Sequence, residues 1–179
     1  YIKTGVFETW RKRVPWLLFL MISATFTSGI ISSYEDALAA NLVLSSFIPM
    51  LMDTGGNSGS QSSTTIIRGL SLGEIRYIDV PRVIFKESAV AMLCGLTLAL
   101  ANFAKLMVFD HVSLLIAAVV CFTLVVVVLV SNVVGGTLPI LAKRLGFDPT
   151  VMASPLITTI VDAVALVIYF NMAKALLHL

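Results

Sequence analysis

Charge is scarce in this chain of 179 residues. Asp, Glu, Lys and Arg together make up only 12% of it, against roughly a quarter in an ordinary soluble domain. That excludes a well-solvated globular protein. Cysteine is nearly absent too. Cys94 and Cys121 stand inside apolar runs without pairing or metal-ligand spacing, which excludes a disulfide framework and a zinc site and predicts buried thiols acting as small hydrophobes. The two histidines, His111 and His178, have neither a partnered nucleophile nor ligand spacing, so no enzyme chemistry is expected. The glycine-rich run Asp53–Thr65 lacks the lysine of a phosphate-binding loop, and no soluble strand precedes it. No nucleic-acid partner is expected either.

What fills the sequence is apolar: 58% of residues are hydrophobic and the mean hydropathy is +0.99. Lipid is therefore the expected solvent, and the fold class is an all-α membrane protein, multi-pass in the cell (inner) membrane. A spanning helix needs about 20 largely apolar residues. Five stretches approach that length, near Val14–Ile31, Ala37–Gly55, Ser88–Val108, Val112–Gly136 and Ala153–Leu177. Residues 14–179 thus form one five-helix transmembrane domain, with no room for a soluble catalytic domain beside it. The basic Arg11-Lys12-Arg13 ahead of an apolar run mimics a secretory leader, but the run is long enough to span and no small-residue cleavage site follows.

Orientation follows from the lysines and arginines, which cytoplasmic loops retain. Lys3, Arg11, Lys12, Arg13, Arg68, Arg76, Arg82, Lys86, Lys143 and Arg144 fall on one side of this layout, and only Lys105 and Lys174 on the other; ten plus two accounts for all 12. The N-terminus is predicted inside and the C-terminus outside. A second helix running unbroken from Ala37 to Ile67 would be roughly 46 Å long, more than the ~30 Å hydrocarbon core. A break or a cytoplasmic extension is needed. Gly55-Gly56, with Pro49 upstream, is the expected place, and Gly135-Gly136 with Pro139 plays the same part in the fourth segment.

Asp162 is the most informative residue. It lies near the middle of the fifth segment, where a lone carboxylate costs several kcal/mol or about that, so it should face a wet cavity, a partner or an ion, or be a protonated or hydrogen-bonded acid that packs helices. Helical spacing aligns Pro155, Thr158, Thr159, Asp162, Ala165 and Tyr169 along one stripe. A second stripe, Asn41, Ser45, Pro49, Asp53 and Gly56, lies on the second segment and should also look inward, unless its serines bond back to their own backbone. Gly55, Asn57 and Gly59 belong to the same oxygen-rich run, which by composition alone could also be a flexible loop; Gly55 and Gly59 also have small-xxx-small spacing. The fourth segment, with Leu124–Val130 free of polar relief, is expected as scaffold against lipid. The second and fifth segments are the candidate pore lining.

Every candidate ligand is an oxygen, which favours hard cations such as Mg²⁺, Ca²⁺ or Mn²⁺. Mg²⁺ keeps several waters and binds through one or two carboxylates. One mid-membrane acid per chain suits that habit if two chains face one another.

At Pro49–Leu70, with its block Gly55-Gly56-Asn57-Ser58-Gly59-Ser60-Gln61, and at Asp148-Pro149 through Pro155–Asp162, the sequence resembles the transmembrane domain of the MgtE family of magnesium channels. The resemblance implies a homodimer with a pore at the two-fold interface, lined by the second and fifth helices, in which Asp162 holds a hydrated Mg²⁺ that is both bound ion and cargo. It also implies cytosolic magnesium-sensing domains in a full-length version. Residues 1–13 then resemble the end of a connecting helix, though an interfacial amphipathic stretch reads the same way. The function implied is passive Mg²⁺ transport. The alternative is a proton-coupled secondary transporter of divalent cations, in which Asp162 cycles a proton and substrate binds at broken helices.

Overall fold

The computed structural model describes residues 5–35, 39 and 42–177, with the side chains of 150–155 and 177 left aside. Long helices dominate it: α1 (Val6–Ser33), α2 (Val43–Ser71), α3 (Val80–Val108), α4 (Leu114–Arg144) and α5 (Pro149–Leu177), with a short 3₁₀ turn, Tyr77–Asp79, leading into α3. Four of them are long and apolar enough to cross a membrane: α1, α3 with its leading turn, α4, and the Leu156–Leu176 part of α5. α2 is long enough but too polar to join them by composition.

Local chemistry sets the helix ends. The Ser113 hydroxyl caps α4 by accepting from the Ile116 amide at 3.3 Å. Gly73 and Gly146 take the left-handed conformation, φ 73° and 80°, just past the ends of α2 and α4. There the Glu74 amide returns to the Gly69 carbonyl at 2.9 Å and the Phe147 amide to the Ala142 carbonyl at 2.9 Å, closing the last turns as glycine C-caps do.

α4 is the centre of the molecule and packs against α2, α3 and α5. Its buried set runs from Ile116 through Val119, Val120, Thr123, Leu124, Val127 and Val128 to Ile140. This corrects the expectation that the fourth segment faces lipid: a helix apolar all round suits the middle of a bundle as well as its rim. α1 is the opposite case, with no buried residue. It leans on α5 at one end, where the Tyr34 ring stacks on Phe170 with centroids 4.6 Å apart and Asn171 Nδ2 donates to the Tyr34 hydroxyl at 3.2 Å. Cys94 is exposed and Cys121 half-buried, so Cys94 departs from the buried thiol expected; it lines an open cavity between α3 and α2, opposite Thr54, Ser58 and Gln61.

The paired glycines do not break their helices. α2 continues as α-helix through Pro49 and Gly55-Gly56, and α4 through Gly135-Gly136 and Pro139. What the glycines provide is approach. A Cβ on Gly135 would collide with the Gly59 backbone carbonyl, so α2 and α4 touch main chain to main chain. A Cβ on Gly55 would come within 2.6 Å of Val161 and 2.7 Å of Val127. At 29 residues, α2 is about 43 Å long and resolves its excess length by extending past the apolar zone.

Candidate functional site: a polar groove between α2 and α5

One face of α2 and one of α5 border an open cavity of about 570 Å³. α2 contributes Pro49, Asp53, Gly56, Asn57 and Ser60, α5 contributes Thr158 and Asp162, and Ile48 and Met52 add apolar wall. Spacings of three and four residues bring each set onto a single face. Asn57 Nδ2 donates to Asp53 Oδ2 at 3.0 Å, so one turn of α2 presents a carboxylate already oriented by its neighbour. Gly56 keeps the α2 wall low: a Cβ there would sit 3.2 Å from Thr158 Cγ2, tighter than ordinary contact. Asp162 is half-buried on the opposite wall.

Six residues named from sequence therefore come together: Pro49, Asp53, Gly56, Asn57, Thr158 and Asp162. The others lie elsewhere. Ser45 is exposed and its hydroxyl returns to the Leu42 carbonyl at 2.7 Å, the backbone-bonded alternative. Gly55 and Gly59 turn toward α4 and α5, where Ser131 Oγ donates to the Gly55 carbonyl. Ala165 is buried with Val127, Ile157 and Val161, because its stripe at four-residue spacing packs on α4 and on the Gly55 and Gly59 positions of α2 rather than lining the groove. Thr159 is half-buried and outside the groove lining. Tyr169, placed on the same stripe, is fully buried and its hydroxyl donates to the Leu44 carbonyl at 2.9 Å, tying α5 to the start of α2. Asn41 and the side chain of Pro155 lie outside what is described. Ser60 was missed as an individual residue, although its place four residues after Gly56 marked it.

Chemically, the groove offers two carboxylates, a carboxamide and hydroxyls against an apolar wall. Among the described residues no group of three or more His, Cys, Asp or Glu side chains gathers to hold a metal. A lining of this kind suits an ion that retains its water shell, since first-shell waters donate to carboxylate and carbonyl oxygens without direct coordination. Four helices apolar enough to span, with an acid-bearing groove between α2 and α5, define a multi-pass membrane protein.

Comparison with known proteins narrows that class. Residues 48–172 match the family model MgtE, described as a divalent cation transporter, and the chain belongs to that family. It is 40% identical over 178 residues to the magnesium transporter MgtE of Thermus thermophilus, covering 99% of this chain and 39% of that protein. It is 34% identical over 167 residues to the magnesium transporter MgtE of Bacillus subtilis, covering 93% and 37%. The chain thus spans under two-fifths of the length of these relatives. The family description is of transport, not of catalysis.

Proposed function

We propose that this chain forms the ion-conducting part of a passive Mg²⁺ channel, with the groove between α2 and α5 as one half of the pore. The observation that carries the reading is the convergence of Asp162 and Thr158 with Asp53, Asn57 and Ser60 across an open cavity, in a member of a divalent cation transporter family. An open polar groove on a helix bundle in lipid is poorly solvated unless something completes it. A second copy related by a two-fold axis places two such grooves face to face. Two Asp162 carboxylates then offset the charge of one Mg²⁺, and the neighbouring hydroxyls and carboxamides accept from its waters.

α2 is the fifth crossing in this arrangement. Its polar face is tolerated at membrane depth because it lines the aqueous path, while Leu44, Phe47, Leu51 and Ile66 on its other side are buried. The N-terminus is cytosolic and the C-terminus outside. The ends of α2 and α4 meet at the basic side, where Lys143 Nζ donates to the Leu70 carbonyl at 2.9 Å. The two cations assigned to the outer side are both engaged: Lys105 pairs with Asp110 at 2.6 Å, and Lys174 sits 4.7 Å from the Tyr34 ring centroid. Residues 1–13 lead from cytosolic magnesium-sensing domains in the full-length protein. The unbroken α2 and α4 favour a channel over the proton-coupled transporter, whose substrate site is typically built at interrupted helices.

Asp162→Ala tests the assignment. Mg²⁺ uptake into magnesium-starved cells should fall by about tenfold or more, the scale expected when a pore counter-charge is removed, with the variant still present in the membrane at wild-type level. Near-normal uptake by that variant refutes the groove as the conduction path.

A further inference from the structure

One acid of the molecule lies away from the groove and is buried. Glu87 on α3 is 9% exposed, and no salt bridge reaches it among the described residues. Its Oε2 accepts from Asn132 Nδ2 of α4 at 3.4 Å, and its Cγ lies 3.0 Å from where a Cβ on Gly136 would stand. The Asn132 amide is the centre of a small network. Its Oδ1 accepts from Ser58 Oγ of α2, and its backbone carbonyl accepts from Ser62 Oγ at 3.1 Å. The two contacts orient the amide, its NH₂ toward Glu87 and its oxygen toward Ser58.

Ser58 is the residue after Asn57, and successive residues of a helix point about 100° apart. Anchoring Ser58 to α4 therefore sets the rotation of α2 about its axis, and with it the direction in which Asn57 and its partner Asp53 face. α2 needs such an anchor. Its packing side near here is glycine and serine, so its rotation is set by close glycine contacts and by polar bonds to α4, those of Ser58 and Ser62 to Asn132 and that of Ser131 to the Gly55 carbonyl.

We propose that Glu87 is a positioning residue for permeation: by holding the Asn132 amide it fixes the rotation of α2 and aims Asp53 and Asn57 into the groove. The inference rests on the groove being the conduction path. Without Glu87 the buried NH₂ has lost its acceptor, the amide is free to reorient toward another one, and Ser58 loses its tether.

The test is Mg²⁺ uptake by proteoliposomes containing the full-length protein, comparing Glu87→Gln, Glu87→Ala and Ser58→Ala with Asp162→Ala as control and size-exclusion profiles as the check on folding. Glu87→Gln keeps an acceptor oxygen in place and should stay within about twofold of wild type, whereas Glu87→Ala and Ser58→Ala should each fall about tenfold, the worth of one buried hydrogen bond. Glu87→Gln falling as far as Glu87→Ala, or failing to fold, overturns the proposal, because the charge rather than the acceptor would then matter. Wild-type uptake by Ser58→Ala overturns it as well, and that variant carries the test if Glu87→Ala does not fold. Uptake retained by Asp162→Ala refutes the pore reading instead, whatever the Glu87 variants do.

Discussion

At the scale of single residues, the same side chain type means different things according to what faces it. Asp162 was legible from sequence because a carboxylate in the middle of an apolar run has few physical excuses. Glu87 was not, because it sits at the basic end of the third apolar run, beside Lys86, where an acid reads as exposed to water; only the burial of Asn132 and Gly136 against it reveals its setting. The glycines were half legible: Gly55 and Gly59 have the small-xxx-small spacing of close packing, but the pairs Gly55-Gly56 and Gly135-Gly136 were expected to break their helices, which run on unbroken. The close approach of Gly135 to the Gly59 carbonyl decides in favour of packing. Gly135→Ala has no side chain to push aside and must move a helix, so it should destabilise the protein by about 1–3 kcal/mol, the range for overpacking a tight interface. A lower thermal midpoint in detergent would register this. An unchanged midpoint would mean that α2 and α4 do not meet here.

At the scale of helices, α2 carries the functional claim, because it has two chemically distinct faces. Gly55, Gly59, Ser62 and Ser63 are buried on the packing side, while Asp53, Gly56, Asn57 and Ser60 line the groove. Cysteine substitution along Asp53–Ser63, in a background where Cys94 and Cys121 are replaced by serine, should show rapid modification by a charged thiol reagent at 53, 57 and 60 and slow modification at 55, 56, 59, 62 and 63. Uniform reactivity would show the segment to be the flexible loop that its composition also allowed. The sequence could not separate these readings, since a run of glycine, serine and threonine has low helix propensity when judged alone. Tertiary packing against α4 overrides it. Helix limits were similarly blurred: α1, α2, α3 and α4 all run past their apolar stretches on the basic side. Hydropathy marks where lipid is, whereas a helix ends where its backbone is capped.

At the scale of the molecule, five long helices were legible in order from the sequence, although only four of them are apolar enough to span, as was the family from the Gly-Gly-Asn-Ser-Gly-Ser-Gln block. The arrangement around α4 was not, because nothing in an all-apolar helix says which neighbours it has. A bundle with α4 at its centre pushes α2 and α5 together on one side and leaves their polar faces opening outward, which is the geometry that a second copy would complete. Passive flow through that completed groove is the central claim. Its most direct test is Mg²⁺ entry into proteoliposomes holding the full-length protein, with a Mg²⁺ indicator and a pH dye inside and Asp162→Ala in parallel. The account predicts downhill Mg²⁺ entry by the wild type with no stoichiometric proton movement, and entry at least about tenfold slower by Asp162→Ala. A fixed proton-to-magnesium ratio that disappears in Asp162→Asn would contradict it and identify a coupled transporter.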